Sequence, residues 1–151
     1  MTVKVGEMAK LFTLKDHLRQ EVDLKDFSGK NILLSFHPLA WTRVCAQQME
    51  SLEAKKDEFD KFNTIAFGIS VDSVPCKKAW AESLNIKHTQ LLCDFWKHGE
   101  VAKLYGILIE ENGTSERANI IIDENQKVAF VKIYPISQLP DIDEIISELG
   151  S

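Results

Sequence analysis

Cys45 closes the run Pro38-Leu39-Ala40-Trp41-Thr42-Arg43-Val44-Cys45, three residues after Thr42 and seven after Pro38. A cysteine becomes a nucleophile when its surroundings hold it as a thiolate. Thr42 is a favourable N-cap residue, so a helix beginning at Arg43 carries Cys45 in its first turn. Unpaired backbone N–H groups and the positive end of the helix dipole favour an anion there. The flanking segments agree. Asn31 to Phe36 is an apolar run (Ile32, Leu33, Leu34, Phe36) that reads as a strand leading into the cysteine. From Arg43 to about Phe62 apolar residues recur at helical spacing, through Met49, Leu52, Phe59 and Phe62. A reactive cysteine at a strand-to-helix junction is the expectation.

The whole chain frames that site simply. Its 151 residues make one domain, residues 1–151, with 44% hydrophobic and 27% charged residues, ordinary for a globular protein. A net charge of −5 argues against nucleic-acid or anionic-membrane partners, because phosphate contacts need clustered Lys and Arg. No apolar run approaches the roughly 20 residues of a membrane span, and the N-terminal residues lack a signal-peptide core. Three cysteines at irregular spacing (45, 76, 93) do not make a secreted disulfide framework. A reducing, cytoplasmic setting is expected.

Two short strands, Leu11 to Leu14 and Glu21 to Leu24, flank a polar turn as an N-terminal hairpin. Residues 63–70 (NTIAFGIS) form a second buried strand, and Val74-Pro75 opens a helix reaching about Leu84. A short strand at 91–94 and a short helix at 99–105 follow, then a loop at Asn112-Gly113-Thr114. Residues 118–123 and 127–133 pair as a hairpin, and a last helix, about Gln138 to Leu149, carries an apolar stripe of Ile142, Ile145, Ile146 and Leu149. Such alternation predicts an α/β fold with a mixed central sheet covered by helices on both sides. It matches a thioredoxin-like fold with an N-terminal β-hairpin extension, a pattern shared with other α/β sandwiches.

Pro38-x-x-x-Thr42-x-x-Cys45 resembles the active-site motif of the peroxiredoxins (AhpC/TSA superfamily). The segment Leu91-Leu92-Cys93-Asp94-Phe95-Trp96-Lys97-His98-Gly99, running on to Ile107, resembles that of the alkyl hydroperoxide reductase E-like, one-cysteine class. Arg117 stands where peroxiredoxins carry an arginine before their late strand. The resemblance implies a thiol-dependent peroxidase in which Cys45 attacks hydrogen peroxide, an organic hydroperoxide or peroxynitrite and becomes a sulfenic acid. It implies that Thr42 orients the peroxide, Pro38 shields the site and Arg117 adds positive potential. It further implies no cofactor and no metal, a homodimer, and recycling by a thioredoxin-, glutaredoxin- or mycoredoxin-like reductant or a low-molecular-weight thiol.

Gln48, three residues after Cys45, stands where a thioredoxin has its second cysteine and where peroxiredoxins commonly carry glutamate, so disulfide exchange is disfavoured. His37 is expected to be a secondary contact of the site. A resolving cysteine five residues after Cys45 is absent, since Glu50 is there, and none lies near Trp80 to Glu82. Cys76, at the start of the following helix, has two readings: an inert, partly exposed thiol, or a resolving partner with a pKa lowered by the helix start. Cys93, on an apolar strand, reads as a buried inert thiol. His17 and His98 read as solvated surface histidines. Trp41, Trp80, Phe95 and Trp96 form core, a collar around the site or a subunit contact. A redox-sensing binding protein switched by Cys45 oxidation is the competing reading.

Overall fold

The structure, a computed structural model, describes residues 1–151. In chain order its elements are β1 (Thr13–Asp16), β2 (Glu21–Asp23), β3 (Asn31–Phe36), α1 (Arg43–Ala54), α2 (Lys56–Lys61), β4 (Thr64–Ser70), α3 (Val74–Ser83), β5 (Gln90–Cys93), α4 (Glu100–Leu104), β6 (Leu108–Ile109), β7 (Thr114–Ser115), β8 (Arg117–Ile122), β9 (Val128–Tyr134) and α5 (Ile142–Leu149). A 3-10 turn over Leu24–Phe27 follows β2.

Seven strands make one sheet in the order β2-β1-β5-β4-β3-β8-β9. The runs β3, β4 and β5 are parallel at its centre, because each is apolar on both faces and is joined to the next through a helix. On one side β8 and β9 add antiparallel strands. On the other, β1 pairs antiparallel with β5, so the N-terminal hairpin is built into the central sheet. Side chains alternate between two cores. Ile32, Leu34, Phe67 and Ile69 join Val101, Ala102 and Tyr105 near α4 on one face. On the other, Leu33, Ala66 and Leu91 pack with Cys45, Met49, Phe59, Trp80 and Ile145 of α1, α2, α3 and α5. The mixed, doubly covered sheet expected of a thioredoxin-like fold is what forms.

Local differences have physical reasons. The expected 43–62 helix breaks at Lys55, which leaves helical geometry (φ −100°, ψ 14°) with neither Gly nor Pro to announce it. Close to that break, the Glu53 carboxylate accepts the amides of Lys87, His88 and Thr89, tying α1 to the loop before β5. The last helix starts at Ile142 instead of Gln138, because Pro140 biases its predecessor away from helix and the Asp141 side chain caps the amide of Asp143. The hairpin strand lies at Thr13–Asp16 rather than 11–14, its turn closed by Asp16 Oδ1, which accepts the amides of Leu18 and Gln20. The 112–114 loop joins the two-residue strands β6 and β7. His17 is buried, not solvated: its Nδ1 accepts from the amide of Leu91, and burial lowers its pKa. His98 is exposed and donates from Nε2 to the Gly113 carbonyl at 2.6 Å.

Candidate active site

The sheet itself brings the site together. Phe36, the last residue of β3, pairs with Ala118 of β8, so Arg117 arrives beside the loop that leaves β3 and becomes α1. That loop spans His37 to Thr42. Cys45 lies in the first turn of α1, 72 residues from Arg117 in sequence, yet Arg117 Nη1 donates to Cys45 Sγ at 3.3 Å. The guanidinium is held by its other two nitrogens, as Nε and Nη2 both donate to the Ile136 carbonyl, at 3.0 and 2.7 Å. A fork anchored on one side presents its remaining nitrogen, Nη1, to the sulfur without further ordering.

Thr42 occupies the N-cap backbone position (φ −114°, ψ 152°), but its side chain does not cap the helix. Its hydroxyl donates instead to the Leu39 carbonyl at 2.8 Å. The first hydrogen bond of α1 runs from the Ala46 amide to the Thr42 carbonyl, so the first-turn amides have no helical acceptor. The expectation of a capping hydroxyl is therefore corrected, and the consequence favours chemistry: those amides remain free for an anion or a polar substrate oxygen. With its proton committed to Leu39, the exposed Thr42 hydroxyl keeps lone pairs with which to accept. Pro38 is half-buried over the loop.

Gln48 is one turn beyond Cys45 and fully buried. Its Oε1 accepts from Arg117 Nη1 at 2.8 Å, while its Nε2 donates to Ser35 Oγ (2.7 Å) and to the Phe36 carbonyl (3.1 Å). Ser35 Oγ donates onward to Asn119 Oδ1 at 2.7 Å. The second pair of contacts suits an amide at this position rather than a carboxylate. A carboxylate at 48 would confront the Phe36 carbonyl oxygen with no proton to offer. Gln48→Glu should slow alkylation of Cys45 by iodoacetamide at pH 7 by about tenfold, since the new carboxylate competes with the sulfur for Arg117. An unchanged alkylation rate would remove Gln48 from the site.

His37 is fully buried with its Nδ1 3.4 Å from the Ser35 carbonyl, and burial followed by the Lys77 charge holds its pKa well below the usual value. Lys77, which residue type alone does not single out, is fully buried. Its signal is a lysine on the core-facing stripe of α3, together with Trp80 and Ala81. Asp72 was also unforeseen; its Oδ2 accepts the Ala40 amide at 2.8 Å and fastens the loop from beneath. Cys76 sits beside it, with Sγ donating to Asp72 Oδ1 at 3.6 Å. Burial and that carboxylate push the Cys76 thiol up, the reverse of the lowering expected from its helix position. Cys93 is buried, and burial pushes its thiol up to about 12. Trp80 is core, while Trp41, Phe95 and Trp96 are exposed.

A model of the AhpC/TSA family matches residues 5–131, which include Pro38, Thr42, Cys45, Gln48 and Arg117. The chain belongs to the AhpC/TSA family, the peroxiredoxins. This peroxiredoxin is 34% identical over 140 residues to alkyl hydroperoxide reductase E of Mycobacterium tuberculosis, covering 92% of this chain and 91% of that one. It is 32% identical to Peroxiredoxin-1 of Gekko japonicus, covering 94% of this chain and 75% of the other. The crystal structure of the reduced 2-Cys peroxiredoxin of Plasmodium vivax superposes with a TM-score of 0.89 at 31% identity, over 98% of this chain and 81% of that one. The peroxiredoxin resemblance, the fold and the enzyme class expected from the sequence are thereby borne out. This peroxiredoxin is a thiol-dependent peroxidase.

Proposed function

We propose that Cys45 is the peroxidatic cysteine and that its sulfenic acid is recycled by a thiol from outside the chain. The observation that carries this reading is the 3.3 Å contact from Arg117 Nη1 to a sulfur lying in the first turn of α1. The Cys45 thiolate attacks the terminal oxygen of a peroxide ROOH. An S–O bond forms as the O–O bond breaks, the sulfur is oxidised by two electrons, and RO⁻ leaves and takes up a proton as ROH. Thr42 accepts a hydrogen bond from the peroxide and aligns it, Pro38 excludes water, and the guanidinium with the free α1 amides stabilises charge growing on the leaving oxygen. Hydrogen peroxide, organic hydroperoxides and peroxynitrite are the substrates of this reading, and a sulfur only 1% exposed favours small ones.

Recycling requires one thiol to attack the sulfenic sulfur, releasing water and leaving a mixed disulfide, and a second thiol to release Cys45. Cys76 is a poor candidate for the first of these, since burial and Asp72 push its thiol up, away from the thiolate. The reductant is then a low-molecular-weight thiol or a thioredoxin-, glutaredoxin- or mycoredoxin-like protein in a reducing cytoplasm. The exposed Trp41, Phe95 and Trp96 suit a homodimer contact close to the active-site loop. The experiment is intact mass after one equivalent of peroxide. A gain of one oxygen, with Cys76→Ser and Cys93→Ser turning over at the unsubstituted rate, is the expected result. A loss of two hydrogens that disappears in Cys76→Ser would establish the two-cysteine mechanism instead.

A further inference from the structure

Lys77 is fully buried in α3, and no carboxylate contacts it. Its Nζ donates to Ser70 Oγ at 2.6 Å and lies 2.7 Å from His37 Nε2 and 5.3 Å from the centroid of the Trp80 ring. His37 Nδ1 must be the protonated nitrogen to meet the Ser35 carbonyl, so Nε2 accepts from the ammonium. A buried ammonium with only neutral partners is costly, and an apolar side chain would fill the same place more cheaply.

What the lysine holds is the active-site loop. Its hydrogen bond to the ring of His37 fixes the residue before Pro38. Through Ser70 Oγ, which donates to Asp72 Oδ2 at 2.6 Å, it also supports the carboxylate that grips the Ala40 amide. The loop is thus secured at two points three residues apart, both leading back to one cation. Trp80, under that cation, packs in the same apolar cluster as Cys45 and Ala40.

We propose that Lys77 is a positioning residue for the peroxide reaction: it anchors the 37–42 loop from behind and adds a second positive charge to the one Arg117 brings to Cys45. The inference rests on the reading of Cys45 as the attacking sulfur. Burial lowers the Lys77 pKa to about 8, against the opposing pull of Asp72, Cys93, Cys45 and Cys76. Those groups face it from the β4–α3 loop, β5, α1 and its own helix. His17 in the β1–β2 turn also feels its charge, and Arg117 faces His37. The charge is therefore present below about pH 8 and is lost above it.

The test is the single-turnover rate of Cys45 oxidation by hydrogen peroxide between pH 6 and 9.5, read by mass from alkylation-quenched samples. In the unsubstituted protein the rate should fall about three- to tenfold on passing through about pH 8. Lys77→Met should be slower by a similar factor at pH 7 and should lack that fall. The double variant Lys77→Met/His37→Phe, which leaves no unpaired ring nitrogen, should give the same flat profile. A rate that stays level or rises through pH 8 in the unsubstituted protein overturns the proposal, as does a fall that survives in a folded Lys77→Met protein. Absence of any oxygen on Cys45 at every pH would instead remove the reading of Cys45 itself.

Discussion

Cys45→Ser should bring peroxide consumption to the uncatalysed background, a loss of at least about a thousandfold, while the protein keeps its fold. The serine hydroxyl is nearly isosteric with the thiol and can accept from Arg117 as the sulfur does. It is not ionised at neutral pH and forms no sulfenic acid. Consumption of hydrogen peroxide with a recycling thiol, followed beside a thermal melt, separates lost chemistry from lost structure. Because Cys45 is packed among Met49, Leu33 and Ile121, a larger replacement would confound the two.

Arg117→Ala should slow oxidation of Cys45 by about a hundredfold or more. The guanidinium makes four hydrogen bonds: two to the Ile136 carbonyl, one to Gln48 Oε1 and one to the sulfur. Its removal leaves Gln48 Oε1 buried without a partner, at a cost of about 1–3 kcal/mol in stability. Arg117→Lys is the sharper comparison. One ammonium cannot span the Ile136 carbonyl and the sulfur together, so a charge is retained while its position is lost. An intermediate rate for Arg117→Lys would show that placement matters as well as charge. Equal rates for the Arg117→Ala and unsubstituted proteins would take the arginine out of the chemistry.

Much of this site could be read from residue types. β3 falls on residues 31–36 as its apolar run predicts, and Thr42 opens α1 with Cys45 in the first turn. Local signals sufficed there, since strand and helix are set by patterns a few residues long. Contacts that depend on distant chain were not legible. Thr42 turns its hydroxyl to Leu39 because the loop curls back, and no propensity scale encodes that choice. Cys76 is partly buried and meets Asp72 across the turn that starts α3, and burial with that carboxylate reverses the expected direction of its pKa. Lys77 shares the core-facing stripe of α3 with Trp80 and Ala81, but its partners Ser70 and His37 come to it only through β4 and the end of β3. The amide at Gln48 becomes intelligible only once Phe36 and Ser35 are seen to accept from it.

The most direct measurement of the central claim is to trap the product of the first step. One equivalent of hydrogen peroxide is mixed with the reduced protein in the presence of dimedone, and the adduct is located by peptide mass mapping. The peroxide-dependent adduct should fall on the peptide carrying Cys45, with Cys76 and Cys93 recovered as thiols. An adduct on Cys76 or Cys93, with Cys45 still a free thiol, would contradict the account.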